Sequence, residues 1–310
     1  MKRDATIAAA LFALIALLPL AGEAYWMRLG TIVLMYGVLA MSWNFIGGMA
    51  GYPSFAVAAF FGLGAYTGAV AQKLGLPMGL AWAGAGLMAL AFAVLLGLAL
   101  LRLRGHYFAI ASLVVAEVLR ELVNAATGLT GGGMGLNLPI PTMASVDAQA
   151  RFFFYAMFGL AALTFAATLA TTYSKLGFGL RCIRQNESAA DMLGVDTTFY
   201  KVSGFALSGV FVGMAGAVYA SWVYYIEPPD VFDVLFSVKA IVMVLLGGAG
   251  SVFGPLIGAA LFLGLEELVW RNYLEVHTGV LGLMIVVLVL FLPKGLLSLS
   301  QRFGHWRPMG

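Results

Sequence analysis

The sequence predicts an all-α protein: a polytopic transmembrane helical bundle of about eight to ten spans, some of them glycine-broken or re-entrant. Three observations predict it. Charged residues make up 10% of the chain and hydrophobic residues 62%, whereas a soluble domain carries about 25% charged residues. The apolar runs are long and continuous, as in helical spans, and do not alternate as β-barrel strands do. The 39 glycines suit close helix packing and broken helices in lipid.

The elements follow in chain order. Lys2 and Arg3, an apolar run at 5–20 and AGEA at 21–24 mimic a secretory signal. The many apolar runs that follow make it an uncleaved first span. The next spans are 29–46, 54–71, 78–101, 107–123, 152–172, 202–222, 234–248, 252–267 and 278–293. The pair 234–248 and 252–267, joined by GGAGS, reads either as two short spans or as a re-entrant hairpin; both return the chain to the same side. Residues 1–310 thus form one membrane domain, interrupted by the polar loop 173–201, which holds seven charged residues.

Charge fixes the orientation. With the N-terminus inside, one face collects Lys2, Arg3, Arg102, Arg104, Lys175, Arg181, Arg184, Lys201, Lys294, Arg302 and Arg307, which is 11 of the 17 Lys and Arg residues. The other face carries Glu227, Asp230, Asp233, Glu266, Glu267 and Glu275. The positive-inside rule then places both termini and the loop in the cytoplasm. The net charge of +3 is accounted for by topology and gives no reason to expect nucleic acid. Cys182 is the only cysteine, so no internal disulfide forms. His106, His277 and His305 are far apart in sequence, and no metal site or cofactor is expected.

The loop has helical grammar. Asn186 can cap a short helix whose first turn carries Glu187, where a carboxylate is favoured. Ala189, Ala190, Met192 and Leu193 continue it, and Gly194 stops it. Asp196 or Thr197 can cap the next helix. The pattern fits either an amphipathic helix on the cytoplasmic surface, open to a partner, or a solvated loop.

Within the spans, Glu117, Arg120 and Glu121 share one helix face. Intramembrane charge marks function by default, but a structural ion pair near the outer end is the expected reading. Lys239 is expected to snorkel toward the headgroups, with Glu227, Asp230 or Asp233 as partner. Trp43, Trp82, Trp222 and Trp270 read as interfacial or packing aromatics. The segments Gly47–Gly51, Gly131–Gly135 and Gly247–Gly250 are candidates for irregular backbone lining a path, or for close packing and turns.

Several motifs together carry a resemblance. The stretch GLRCIRQNESAADMLGVDTTFYKVSGFALSGVFVGMAGAVYA (179–220) closely resembles the cytoplasmic loop and following span of the branched-chain amino-acid ABC permeases. GYPSFAVAAFFGLGAYTGAV (51–70), RGHYFAIASLVVAEVLRELVNAATGLTGGGMGL (104–136), GGAGSVFGPLIGA (247–259) and FLPKGL (291–296) are similar to further segments of that family. The 104–136 block points to a LivM-type rather than a LivH-type subunit. Val57 and Gly133 depart from the family pattern where substrate is expected nearby, which leaves the substrate open.

The resemblance implies a non-catalytic transport subunit in a bacterial inner membrane. Its partners would be a LivH-type second permease, two cytoplasmic ATP-binding subunits and an extracytoplasmic substrate-binding protein. Residues 187–194 would be the coupling helix, with Arg181, Arg184, Glu187, Ala189, Ala190 and Gly194 at the ATPase contact. Ser54, Gly131, Gly132, Gly133, Gly248 and Glu117 are candidates for the substrate path. The chain has no G-x-x-x-x-G-K-[ST] loop, so ATP would be hydrolysed on partner chains. Relatives carrying urea, short amides or aromatic acids keep those substrates open. An ion-coupled secondary transporter would rest on Glu117 alone. A membrane enzyme finds no catalytic constellation.

Overall fold

Glycines lie inside several of the helices, and others, such as Gly51 and Gly194, mark where the chain leaves one. The computed structural model describes residues 2–17, 19, 24–103, 105–139, 145–272 and 282. The expected span 278–293 and the FLPKGL segment therefore lie outside the described residues. Helix α1 covers Lys2–Ala16 and α2 covers Ala24–Trp43, which continues through a widened π turn at Asn44–Gly48. Gly51 then adopts φ +77°, a conformation that only glycine enters freely, and the chain leaves the helix. Helices α3 (Val57–Lys73), α4 (Met78–Leu100) and α5 (His106–Ala125) follow.

A short α6 (Thr127–Thr130), a 3-10 turn (Gly132–Met134) and β1 (Leu136–Asn137) lead to α7 (Val146–Thr172). The polar loop folds into α8 (Lys175–Gln185) and α9 (Glu187–Met192), and α10 (Thr197–Val223) returns through the bundle. Strand β2 (Tyr225–Ile226), α11 (Pro228–Val231), α12 (Leu235–Gly247) and α13 (Gly254–Asn272) complete the described chain.

Among the described residues, four helical stretches are long and apolar enough to cross a membrane: 25–48, 78–100, 146–172 and 197–223. The polytopic bundle is therefore as expected. Several boundaries differ. The span expected from 54 begins at Val57, because Pro53 and Ser54 hold an extended entry. The spans expected from 152 and 202 begin at Val146 and Thr197, because polar first turns capped by Ser145 and Asp196 extend them past their apolar runs. Of the two candidate caps for α10, it is Asp196 that accepts from the Phe199 N–H. Helix α12 has 13 residues, about 20 Å at 1.5 Å per residue, which is too short to cross a hydrocarbon core of about 30 Å alone.

The centre is the packing of α10 against α3 and α4. Helix α4 turns Ala81, Ala85, Ala89 and Ala93 inward, one per turn, and all are fully buried. Its other face presents Leu80, Leu87, Leu95 and Leu98 outward. Such small-residue faces let backbones approach closely where the hydrophobic effect gives no drive between helices. A Cβ added at Gly64 of α3 would lie 2.0 Å from the Gly213 carbonyl oxygen of α10, and one at Gly216 would lie 2.1 Å from that of Phe61.

The bundle has two distinct ends. At one, the α8–α9 loop meets the Gly48–Tyr52 bend, the end of α4 and the α12–α13 turn. At the other, β1 pairs antiparallel with β2, Leu136 opposite Ile226. There the Tyr225 hydroxyl lies 2.7 Å from Glu227 and 2.9 Å from the Met134 carbonyl oxygen. The hydrogen bond to Glu227 raises the pKa of that phenol above its usual value.

Candidate functional site

The loop end is built by caps. Ser174 accepts from the Leu176 and Gly177 N–H groups and starts α8. Leu180 and Ile183 of α8 are buried, which seats the helix on the bundle. Arg181 donates to the Thr172 carbonyl oxygen at 3.0 Å and so satisfies an orphan acceptor at the C-terminus of α7, where positive charge is also favoured. Asn186 accepts from the Ala189 N–H at 3.0 Å and starts α9. Gly194 ends this helix at φ +84° with open space around it, so its backbone and not its size requires glycine.

Beneath α9 lies a buried polar junction. The Lys201 ammonium donates to Glu187 at 2.7 Å, to the Leu101 carbonyl oxygen at 2.8 Å and to the Tyr52 hydroxyl at 3.3 Å. Tyr52 donates in turn to Glu187, and the ammonium sits 5.0 Å from the centre of its ring. The side chains of Lys201 and Glu187 are 5% and 15% exposed. Buried charge is tolerated when it is paired and hydrogen-bonded in this way. One junction thus fastens α9 to α10, to the bend before α3 and to the end of α4.

Arg184 points the other way and donates to the Gly48 carbonyl oxygen. Asn44 in the π turn accepts from the Gly250 N–H at 2.8 Å and donates to the Ser251 carbonyl oxygen at 3.0 Å. Of the three glycine-rich segments read as lining a path or as close packing and turns, two close on each other here. A Cβ at Gly48 would lie 2.7 Å from the Gly250 nitrogen.

The predicted coupling residues Arg181, Arg184, Glu187, Ala189, Ala190 and Gly194 all fall in this loop. Arg181, Arg184 and Glu187 bond within the chain, and Ala190 is buried at 3% exposure. The outward face is made by Met192 and Leu193, 82% and 84% exposed. Two apolar side chains at the tip of a polar loop were visible in the sequence, but their helical pattern concealed their exposure. Lys201 and Tyr52 gave no such signal, since they lie 14 and 135 residues from Glu187.

The predicted path residues are not brought together. Ser54 is buried; its hydroxyl accepts from the Ala56 N–H, and its carbonyl oxygen accepts from the Trp43 indole. Gly131, Gly132 and Gly133 form the turn at the hairpin end, where Gly131 meets the Gly135 carbonyl oxygen. Gly248 sits in the α12–α13 turn at the opposite end, with φ +118°. Glu117 pairs with Arg120, which also lies 3.6 Å from Glu121. All three belong to the outward face of α5, so the ion pair expected there forms outside the subunit's interior. Replacing Glu117 with glutamine should change the thermal stability of the isolated subunit by under about 1 kcal/mol, as for exposed pairs generally. A large fall in melting temperature would contradict this placement.

Lys239 does not pair with Glu227, Asp230 or Asp233. It donates to Glu266 at 2.7 Å, because α12 and α13 pack antiparallel and bring the two together. Trp82 donates to Ser221 and Trp43 to Ser54, so both serve packing.

A multi-pass helical bundle with the short helix α9 mounted on a buried polar junction fits the membrane subunit of a transport system. The chain belongs to the family of branched-chain amino acid transport system permease components, whose profile matches residues 26–291. It is 29% identical over 88% of its length to the high-affinity branched-chain amino acid transport system permease protein LivM of Escherichia coli K12, covering 70% of that protein. It is 28% identical to the LivM protein of Salmonella typhimurium, with the same coverage of both chains. To the LivH permease of Escherichia coli K12 it is 30% identical over 44% of this chain and 45% of that one. No solved structure matches it.

Proposed function

We propose that this chain is the LivM-type permease subunit of an ABC importer that carries branched-chain or related amino acids into the bacterial cytoplasm. Two separate ATP-binding subunits drive it, a LivH-type permease completes the membrane path, and an extracytoplasmic protein delivers substrate. Both termini and α9 face the cytoplasm. The observation that carries the reading is the build of α9: its base is locked by Glu187 and Lys201, while Met192 and Leu193 stand bare at its tip. Exposed apolar side chains on a rigid support suit a partner's groove. ATP-driven closure of the partner moves the tip, and the junction passes that displacement to α10, α4 and the bend before α3. A ligand shifts such an equilibrium only through its differential affinity for the two states.

The outward face of α5 supports the second permease as a neighbour. Carboxylates at 117 and 121 are costly against lipid and favour protein or water beside them.

The test is the double change Met192→Ser and Leu193→Ser. The subunit should remain folded and in the membrane, while co-purification of the ATP-binding subunits and amino-acid uptake fall at least about tenfold, the loss expected for removing a buried interface anchor. Unchanged assembly together with unchanged uptake would rule out α9 as the contact.

A further inference from the structure

A cavity of about 520 Å³ opens between α2, α10, α12 and α13, on the side of the bundle away from α9. Its walls are Tyr36, Tyr219, Trp222 and Phe236, and its polar groups are Lys239, Glu266 and Glu267. Helix α2 supplies Leu29, Ile32 and Tyr36 from its middle turns, α10 supplies Tyr219 and Trp222 from its last turns, and α13 carries the two glutamates in its second half. The cavity therefore lies in the half of the bundle toward the β1–β2 end.

Its polar groups make a dipolar pair. The Lys239 ammonium contacts Oε1 of Glu266 at 2.7 Å and lies 5.4 Å from the centre of the Tyr36 ring. The Oε2 atom of Glu266 is buried and has no hydrogen-bond partner among the described residues. A buried carboxylate oxygen without a donor is rare in native proteins and calls for an explanation. Oxygens on two neighbouring carboxylates beside aromatic faces are a setting for an ammonium group. Lys239 stands opposite to receive an anion. The volume falls within the range of small-molecule sites, which are apolar cavities with a few converging polar groups.

We infer that this cavity binds a zwitterionic α-amino acid with an apolar side chain. Its ammonium group takes the place of Lys239 at Oε1 of Glu266, its carboxylate draws the Lys239 ammonium to itself, and its side chain lies against Trp222, Tyr219 and Phe236. The inference rests on the importer reading for the choice of amino acid, and it adds a binding site inside this subunit. Ligand entry exchanges one internal ion pair for two, and no buried charge is left unmatched, which is the condition for holding charge at membrane depth.

The experiment uses the full chain in nanodiscs of phosphatidylcholine and phosphatidylglycerol, with binding of tritiated leucine read by scintillation proximity. Unlabelled leucine should compete. Isoamylamine, which lacks the carboxylate, and 4-methylpentanoate, which lacks the ammonium, should each compete at least about tenfold more weakly. Lys239→Met should lower leucine affinity by about the same factor and bring isoamylamine level with leucine. The double variant Lys239→Met with Glu266→Gln leaves no unpaired charge and should stay monodisperse while losing leucine binding. Leucine binding that survives the double variant overturns the inference, as does native protein that binds isoamylamine as tightly as leucine. So does a leucine signal displaced by phosphatidylethanolamine and by phosphoethanolamine alone, since the cavity is then a lipid headgroup site. Uptake by the assembled importer, measured in parallel, separates the two readings: transport that persists without cavity binding removes the site and leaves the importer standing.

Discussion

Changing Lys201 to methionine should cost the subunit about 3–5 kcal/mol, enough to remove most of it from the membrane fraction. The figure is that for deleting one partner of a buried ion pair. Here the remaining member of the pair is Glu187, whose side chain is 15% exposed and which would lose its 2.7 Å bond to the ammonium. The Leu101 carbonyl oxygen would lose its donor as well. Changing Glu187 to glutamine in the same chain should recover much of the loss, because both charges of the pair are then removed. The measurement is the melting temperature of the detergent-solubilised protein by fluorescence-detected size exclusion. If the single variant melts like the native protein, the junction is not the fastening it is described to be. If the double variant is stable but transport stays uncoupled from ATP hydrolysis, stability and force transfer at the junction are separate properties.

Leucine in place of Gly64 should be as damaging, through shape alone. The Cβ would start 2.0 Å from the Gly213 carbonyl oxygen, and no rotamer moves a Cβ. Helices α3 and α10 would have to separate along their crossing, which also involves Gly216 and Phe61. Overpacking a core costs about 1–3 kcal/mol when side chains can shift, and here the obstacle is backbone, so the loss should reach or exceed the top of that range. The control is Gly84→Leu on α4, where an added Cβ meets nothing within 4 Å. The first variant should be retained poorly and run as an aggregate, and the second should behave as native protein. Equal yields for the two would mean that α3 and α10 do not cross as described.

What the sequence made legible was local. Continuous apolar runs marked the helices, Asn186 marked one cap, Asp196 and Thr197 were the two candidates for the next, and Gly194 marked a stop, because each depends on residues within about one turn. The motifs over 51–70, 104–136 and 179–220 were specific enough to indicate the family. Pairings between distant segments were not legible. Lys239 was matched to acids close by in the chain, whereas the antiparallel packing of α12 on α13 brings it to Glu266, 27 residues away. The glycines at 47–51 and 247–250 were open to two readings, a path lining or close packing and turns; nothing local says that Asn44 reaches across 206 residues to hold the second group against the first. Glu187 was read as an outward charge for the same reason: its cation enters from the far side of a turn.

Helix α4 is a ruler with two edges. Its alanine edge has no slack, since each methyl group is the whole of the spacer between it and a neighbouring backbone. The leucine edge is exposed on the subunit's surface and is indifferent to which oily side chain it shows. Over generations, drift will accumulate along Leu80, Leu87 and Leu95 while Ala85, Ala89 and Ala93 stand still, so a comparison of close relatives will print this helix as a stripe of fixed letters every fourth position.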